Sequence, residues 1–302
     1  MRRRSTPQPS TFELAEVIPE FLGGYLLGSP KTLSYYRHHL GSMANYLSGL
    51  SVHKLLEITP DHLRGWLNAE QQRGIAASSV GKHHAAASTF FRWCEDESYV
   101  EFSPMRKVRR PKLPQRAVVG FDGEEVKRLI QGSRMSGGWL ASRDYAIVLF
   151  LLDTGARANE LLSLRPGDID WPRHRVLLHG KGQKDRWVPL GQKAGRALRL
   201  YMTVRPETRA VNVWVTLQRS AMRYATLHAV ISGLGVYMGV EDCRPHRFRH
   251  TYAAAWYERH KDIMALKNLL GHSKIETTTR YLKSLGLEYG TGCEFASPGD
   301  WL

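Results

Sequence analysis

Apolar residues recur by threes and fours behind Ser29-Pro30, at Leu33, Tyr36, Leu40, Met43, Leu47 and Leu50. That is the period of a helix with one buried face. Ser-Pro supplies a cap and a proline for the first turn. Thr59-Pro60 repeats the start signal before Leu63, Trp66 and Leu67. A third helix is expected from about Ser79, with Val80, Ala87, Phe90, Phe91 and Cys94 turned inward. The alternation that marks strands is missing from this part, so the pattern predicts a small helical domain over 11–102, after a flexible basic stretch over 1–10.

The pattern changes further on. Asp122-Gly-Glu-Glu125 carries the residues of a capping box ahead of Val126, Leu129 and Ile130. Ala141 to Asp153 is apolar on nearly all sides, which predicts a central buried helix that Gly155 stops. A short helix is expected over Asn159 to Leu164. Arg175 to His179 and Arg186 to Leu190 read as two strands of a hairpin, joined by the turn Gly180-Lys-Gly-Gln-Lys-Asp185. Helices are expected over 192–204, 219–238, 247–260, 262–270 and 275–284. The second domain, 118–284, is therefore mostly helical with a small sheet, and a tail follows over 285–302.

Between the domains, 103–117 holds three prolines and six basic residues with no acid. Prolines favour extended chain. Arg106, Lys107, Arg109, Arg110, Lys112 and Arg116 read as a cationic strap for a phosphate backbone, against the plainer reading of a solvated tether. Composition agrees. The 302 residues carry 43 Lys and Arg against 28 Asp and Glu, a net charge of +15. Such an excess points to nucleic acid as the partner. The longest strongly apolar run, Tyr145 to Leu152, has eight residues, against the roughly 20 that a membrane span needs. Cys94, Cys243 and Cys293 are far apart and form no C-x-x-C pair. A disulfide framework and that type of zinc or redox site are excluded, and a reducing cytoplasm is the expected location.

Candidate chemistry concentrates in Arg244-Pro-His-Arg-Phe-Arg-His-Thr251. His246 and His250, four apart, share a helix face and invite a zinc reading. A zincin needs Glu after the first His, where Arg247 stands, and Arg249 between the histidines would repel a divalent cation. No metal or other cofactor is expected. Arg with His is instead the chemistry of holding an oxyanion. Asp153-Thr-Gly-Ala-Arg157-Ala-Asn-Glu160 places an Arg just after a glycine turn, fit to clamp an anion. Gly180-Lys181-Gly puts a Lys at a hairpin tip, able to donate a proton to a leaving oxygen. Leu269-Leu-Gly-His272-Ser ends a helix, and Tyr281 follows His272 by nine residues.

In these motifs the chain resembles the tyrosine recombinases, the phage integrase family, and most of all its compact Xer-type members. Arg157 falls in their T-G-x-R-x-x-E-L motif, Lys181 in G-K-G-x-K, His246 and Arg249 in H-x-x-R-H, His272 in L-L-G-H-S, and Tyr281 at the nucleophile. The resemblance is strong over about 118–284 and weaker before it. Ala156 and Phe248 replace leucines of the family pattern, and Leu282-Lys283 follows the tyrosine in place of Thr-His. The resemblance implies a helical core-binding (SAM-like) domain and a catalytic domain that clamp double-stranded DNA. It implies attack by Tyr281 on a scissile phosphate, giving a 3′-phosphotyrosine. Arg157, Arg249 and His272 would hold the phosphate, Lys181 would protonate the leaving 5′-oxygen, and His246 would assist at the tyrosine. It implies a tetramer in the synapse, of this chain or with a second related recombinase, on nucleoid DNA, and a tail, with Trp301 as its candidate contact, that docks on a neighbouring protomer. A type IB topoisomerase and a non-catalytic DNA-binding protein on the same scaffold are the alternatives.

Overall fold

The computed structural model describes residues 12–24, 30–111, 119–180 and 185–286. The basic N-terminal residues, Ser29, Lys112, Arg116, the hairpin tip with Lys181, and the tail from residue 287 with Trp301 lie outside the described residues. The chain divides into two units, residues 1–114 and 115–302.

The first unit is helical: α1 (Leu14–Gly24), α2 (Pro30–Gly49), α3 (Pro60–Gln72) and α4 (Ala77–Asp96). In α2 the three-and-four spacing buries Leu40, Met43 and Leu47, while Leu50, just past the helix end, is exposed. Thr59 caps α3, its hydroxyl accepting from His62 N at 3.3 Å, and Pro60 occupies the first position, where an N–H would be unpaired anyway. The spacing does not predict α1, since Pro19 sits inside it and proline ordinarily breaks a helix interior. It is held by its packing. Phe21 is fully buried with its ring 5.2 Å from Tyr36 and 5.3 Å from Phe90, and Leu14 N donates to His53 O at 2.8 Å. Phe21→Ala is expected to cost about 3–5 kcal/mol through the cavity it leaves. The basic segment opens with a 3-10 turn at Pro104–Lys107, and Met105 and Val108 belong to this unit's core.

The second unit begins with α5 (Gly123–Gly132), whose Asp122 and Glu125 form the expected capping box. α6 (Gly138–Thr154) is buried along most of its length, as an all-round apolar pattern requires. α7 (Ala158–Ser163) leads into an antiparallel sheet in the order β1 (Ile169–Asp170), β2 (Arg175–Leu178), β3 (Arg186–Pro189), with Val176 opposite Val188. The two-residue β1 was too short to leave a pattern. Then come α8 (Gln192–Val204), α9 (Tyr224–Tyr237), α10 (Pro245–His260), α11 (Ile263–Leu270) and α12 (Ile275–Ser284). α9 starts later than the sequence suggests. Residues before it close a small loop, with a bridge between Val215 and Ala221 and Thr216 N donating to Ser220 O at 2.8 Å. α8 and α10 pack on α6. Tyr252, Tyr257, Leu266, Leu270 and Leu282 form a separate small core that fixes α12 against α10 and α11. Among the described residues no helix is long and apolar enough to cross a membrane.

Candidate active site

Arg249 is the centre of a polar cluster at the start of α10. Its neighbour Phe248 faces the core, 4.8 Å from the ring of Phe121, so a residue one step along turns toward the end of α6. Its guanidinium is almost wholly buried. Nη1 donates to Gly155 O at 2.8 Å, and Nη2 donates to Leu270 O at 2.7 Å and to His272 Nε2 at 3.1 Å. Burial, aided by the charge of Arg157, lowers its pKa to about 10, which leaves it cationic at neutral pH. Gly155 turns the chain here with φ +58°, and a Cβ on it would lie 2.3 Å from Tyr252 Cδ1. Only glycine satisfies both demands.

That turn delivers Arg157 to the N-cap of α7. Its backbone N donates to Glu160 Oε2 and its Nη1 to Glu160 Oε1, both at 2.8 Å, and Nη2 donates to Gly271 O at 3.3 Å. The side chain remains 40% exposed, so its outer edge faces solvent while Glu160 is buried beneath it. Arg186 on β3 grips the same carboxylate with Nη1 to Oε1 at 2.8 Å and Nη2 to Oε2 at 2.9 Å. Burial alone would raise the Glu160 pKa. The hydrogen bonds from Arg186 and Arg157 outweigh it and hold the group at about 2.

His272 follows Gly271, the left-handed residue that ends α11 with φ +64°. Arginine only donates, so His272 Nε2 accepts from Arg249; Nδ1, 2.9 Å from Thr278 Oγ1, carries the proton in the neutral ring. Burial and the charges of Arg249 and Arg157 lower its pKa to about 4. Tyr281, on the second turn of α12, lies between two imidazoles. His250 stacks on its face at 4.9 Å and 26°, and His272 meets it edge-on at 5.8 Å and 82°. Tyr281 Oη and His250 Nδ1 are buried with no hydrogen-bond partner. Burial pushes the Tyr281 phenol up, against the pull of Arg249 and Arg157, and lowers His250 to about 3. His246 stands edge-on to His250 at 4.5 Å and reaches solvent; partial burial and the charges of Arg249, Arg244 and Arg157 lower its pKa.

The cluster thus gathers Arg157, His246, Arg249, His272 and Tyr281 from four separate segments. Lys181 lies outside the described residues. At the base of its hairpin, His179 is bracketed by Asp185 at 2.8 Å and Asp168 at 3.1 Å, and both raise its pKa. Within the basic segment Arg106 has a carboxylate partner after all, Glu95 from α4, which no local reading of 103–117 reveals. Lys107, Arg109 and Arg110 are exposed. Sequence reasoning missed Glu160, Arg186, Thr278 and His250 as parts of the site. Glu160 and His250 had a signal, since both stand inside the motifs quoted for their neighbours; Arg186 and Thr278 had none. No group of three or more His, Cys, Asp or Glu able to hold a metal ion occurs among the described residues. Two guanidiniums, an imidazole and a phenol converging on one spot suit a phosphate diester and a nucleophile.

The model of the phage integrase family matches residues 120–286, and that of the phage integrase N-terminal SAM-like domain matches 26–98. The tyrosine recombinase XerC of Pseudomonas syringae pv. syringae (strain B728a) is 29% identical over 255 residues, covering 84% of this chain and 85% of that protein. The tyrosine recombinase XerC of Xanthomonas axonopodis pv. citri (strain 306) is 31% identical over 221 residues, 73% of this chain and 72% of that protein. Among solved structures, the XerH site-specific recombinase bound to a palindromic difH substrate, in a post-cleavage complex, shares the fold with a TM-score of 0.74 at 17% identity, over 88% of this chain and 80% of that one.

Proposed function

The chain belongs to the phage integrase family as a tyrosine site-specific recombinase, and from that premise we propose that it cuts and rejoins double-stranded DNA through a 3′-phosphotyrosine on Tyr281. The observation that carries this reading is the convergence of Arg157, Arg249 and His272 around a tyrosine whose hydroxyl is buried without a partner. An unpartnered buried hydroxyl costs about 1–3 kcal/mol, and a site that will bind a polar substrate is where such a cost is tolerated.

Arg157 and Arg249 hold the non-bridging oxygens of the scissile phosphate and stabilise the charge that builds on them. The Arg157 edge that faces solvent makes first contact. Tyr281 Oη attacks phosphorus, the bond to the 5′-oxygen breaks, and Lys181 gives that oxygen its proton. His246 takes the phenol proton, a role suited to an imidazole held neutral. His272 adds a hydrogen bond once its Nε2 carries the proton. Thr278 permits this, because its hydroxyl can donate to Nδ1 as readily as accept from it. The phosphotyrosine conserves the energy of the phosphodiester, so the reverse attack by a 5′-hydroxyl rejoins the strand without metal or ATP.

The helical first unit and the basic segment through Arg109 and Arg110 bind double-stranded DNA. Four protomers, of this chain or shared with a related recombinase, assemble on two sites in the cytoplasm. The test is covalent capture. The protein and its Tyr281→Phe variant are expressed in a host, lysed under denaturing conditions with chelator, and the attached DNA is sequenced. Tyr281-dependent DNA clustered at one sequence is expected. Dispersed Tyr281-dependent adducts would favour a topoisomerase. Sequence-specific binding unaffected by the variant, with no adduct, would favour a non-catalytic scaffold.

A further inference from the structure

Three consecutive carbonyls close α11, and each accepts from a different arginine. Leu269 O receives Arg186 Nε at 2.6 Å, Leu270 O receives Arg249 Nη2 at 2.7 Å, and Gly271 O receives Arg157 Nη2 at 3.3 Å. The last carbonyls of a helix lack intrahelical partners and form the negative end of its dipole, so cations suit them. Two of these arginines make up the phosphate clamp. Arg186 is different. Its side chain is 11% exposed, and all three of its nitrogens are engaged, with Leu269 O and with both oxygens of Glu160.

We propose that Arg186 is a positioning residue for the cleavage reaction: it fixes Glu160 so that Arg157 is presented to the scissile phosphate, and it ties β3 to the clamp. The proposal rests on the recombinase reading and assigns a role to a residue that the motifs leave out. Glu160 Oε1 accepts from Arg157 Nη1 and Arg186 Nη1, and Oε2 accepts from Arg157 N and Arg186 Nη2. Four bonds fill the lone-pair positions of a carboxylate. The fork from Arg186 also neutralises Glu160, which leaves the charge of Arg157 for the phosphate. Without Arg186 the buried carboxylate has one cation left, Arg157, and draws it inward. The same guanidinium braces the backbone before His272. A Cβ on Gly271 would lie 2.8 Å from Arg186 Nη1, so the turn and the arginine are packed in contact. Lysine cannot replace it, since one ammonium does not span both carboxylate oxygens and Leu269 O.

The test compares the parent with Arg186→Gln, Arg186→Lys and the double variant Glu160→Gln/Arg186→Gln, each first checked for an unchanged melting profile. Arg186→Gln and Arg186→Lys are expected to lower Tyr281-dependent covalent DNA by about a hundredfold, the scale of a displaced clamp. The double variant should recover part of that loss, because a neutral amide no longer pulls on Arg157. A residue that only supports the fold would show no such rescue, and absence of rescue overturns the proposal. Inorganic phosphate supplies a reading independent of DNA cleavage. Its affinity, followed through the ring signals of His272, should fall in Arg186→Gln and return in the double variant. If the parent forms no adduct, the recombinase reading fails and phosphate alone decides on Arg186. Equal phosphate affinity in parent and Arg186→Gln, including no binding in either, overturns the positioning role.

Discussion

In the first unit, His39 on α2 and His83 on α4 face each other Nδ1 to Nδ1 at 3.1 Å, both buried. In the second, His250 lies flat on Tyr281, and His250 Nδ1 and Tyr281 Oη have no partner. Burial strips the charge from the imidazoles in both places. His39 falls to about 4 through burial, then through His83, His38 and Lys82. His83 is lowered by burial against the opposing pull of Glu70. One neutral ring donates and the other accepts, so the first pair is complete and joins two helices. The second cluster is left incomplete, with two guanidiniums beside it. The same dehydration therefore serves stability in one unit and leaves hydrogen-bonding capacity for a substrate in the other.

The difference between the two clusters depends first on Arg249. Arg249→Lys cannot reach Gly155 O, Leu270 O and His272 together, and adduct formation should fall by about 10²–10³. An adduct yield near the parent's would remove Arg249 from the clamp. Next in size is the closed pair. His83→Ala leaves His39 Nδ1 buried and alone, and should destabilise the first unit by about 1–3 kcal/mol in urea unfolding of the full chain. A change within error would mean the pair is not a structural joint.

Acidity probes the same pair more gently. His39 binds its proton more weakly when folded than the ordinary 6.5, at about 4, so the unfolded chain takes up more protons between those values. Stability of the first unit should be full above about pH 6.5 and decline steadily toward pH 4. His39→Gln should flatten that decline, and an equally steep profile in the variant would assign the loss to other groups. The smallest effect is expected in the second cluster. Tyr281→Phe deletes an unpartnered hydroxyl, so the free energy of unfolding in urea should rise by about 1 kcal/mol. A clear fall would show that Oη has a partner in solution.

Local pattern carried much of this. α2 and α3 follow from apolar spacing and their Ser-Pro and Thr-Pro start signals, and the five described motif residues are brought together in one cluster. What the sequence hid depends on distance along the chain. Arg186 meets Glu160 across 26 positions and Leu269 across 83, and nothing around Arg186 announces either contact. Glu95 reaches Arg106 from another helix. α1 contains a proline and is stable because Phe21 is buried in an aromatic cluster, which is a tertiary fact. The unpartnered atoms at His250 and Tyr281 were equally invisible, since an orphan is defined by everything that packs around it. Ala156 and Phe248, two of the departures in the motifs, are both buried in the second unit's core.

The proposed reaction depends most directly on a covalent bond from Tyr281 to a 3′-phosphate. Adducts recovered under denaturing conditions can be digested with nuclease and protease and the peptides read by mass spectrometry, while the released strand is tested for a 5′-hydroxyl by direct end labelling with a kinase. A nucleotide attached through its 3′-phosphate to Tyr281 and a labelled 5′ end without prior phosphatase are expected. A nucleotide on another residue, or a 5′-phosphate on the released strand, would contradict the proposed reaction.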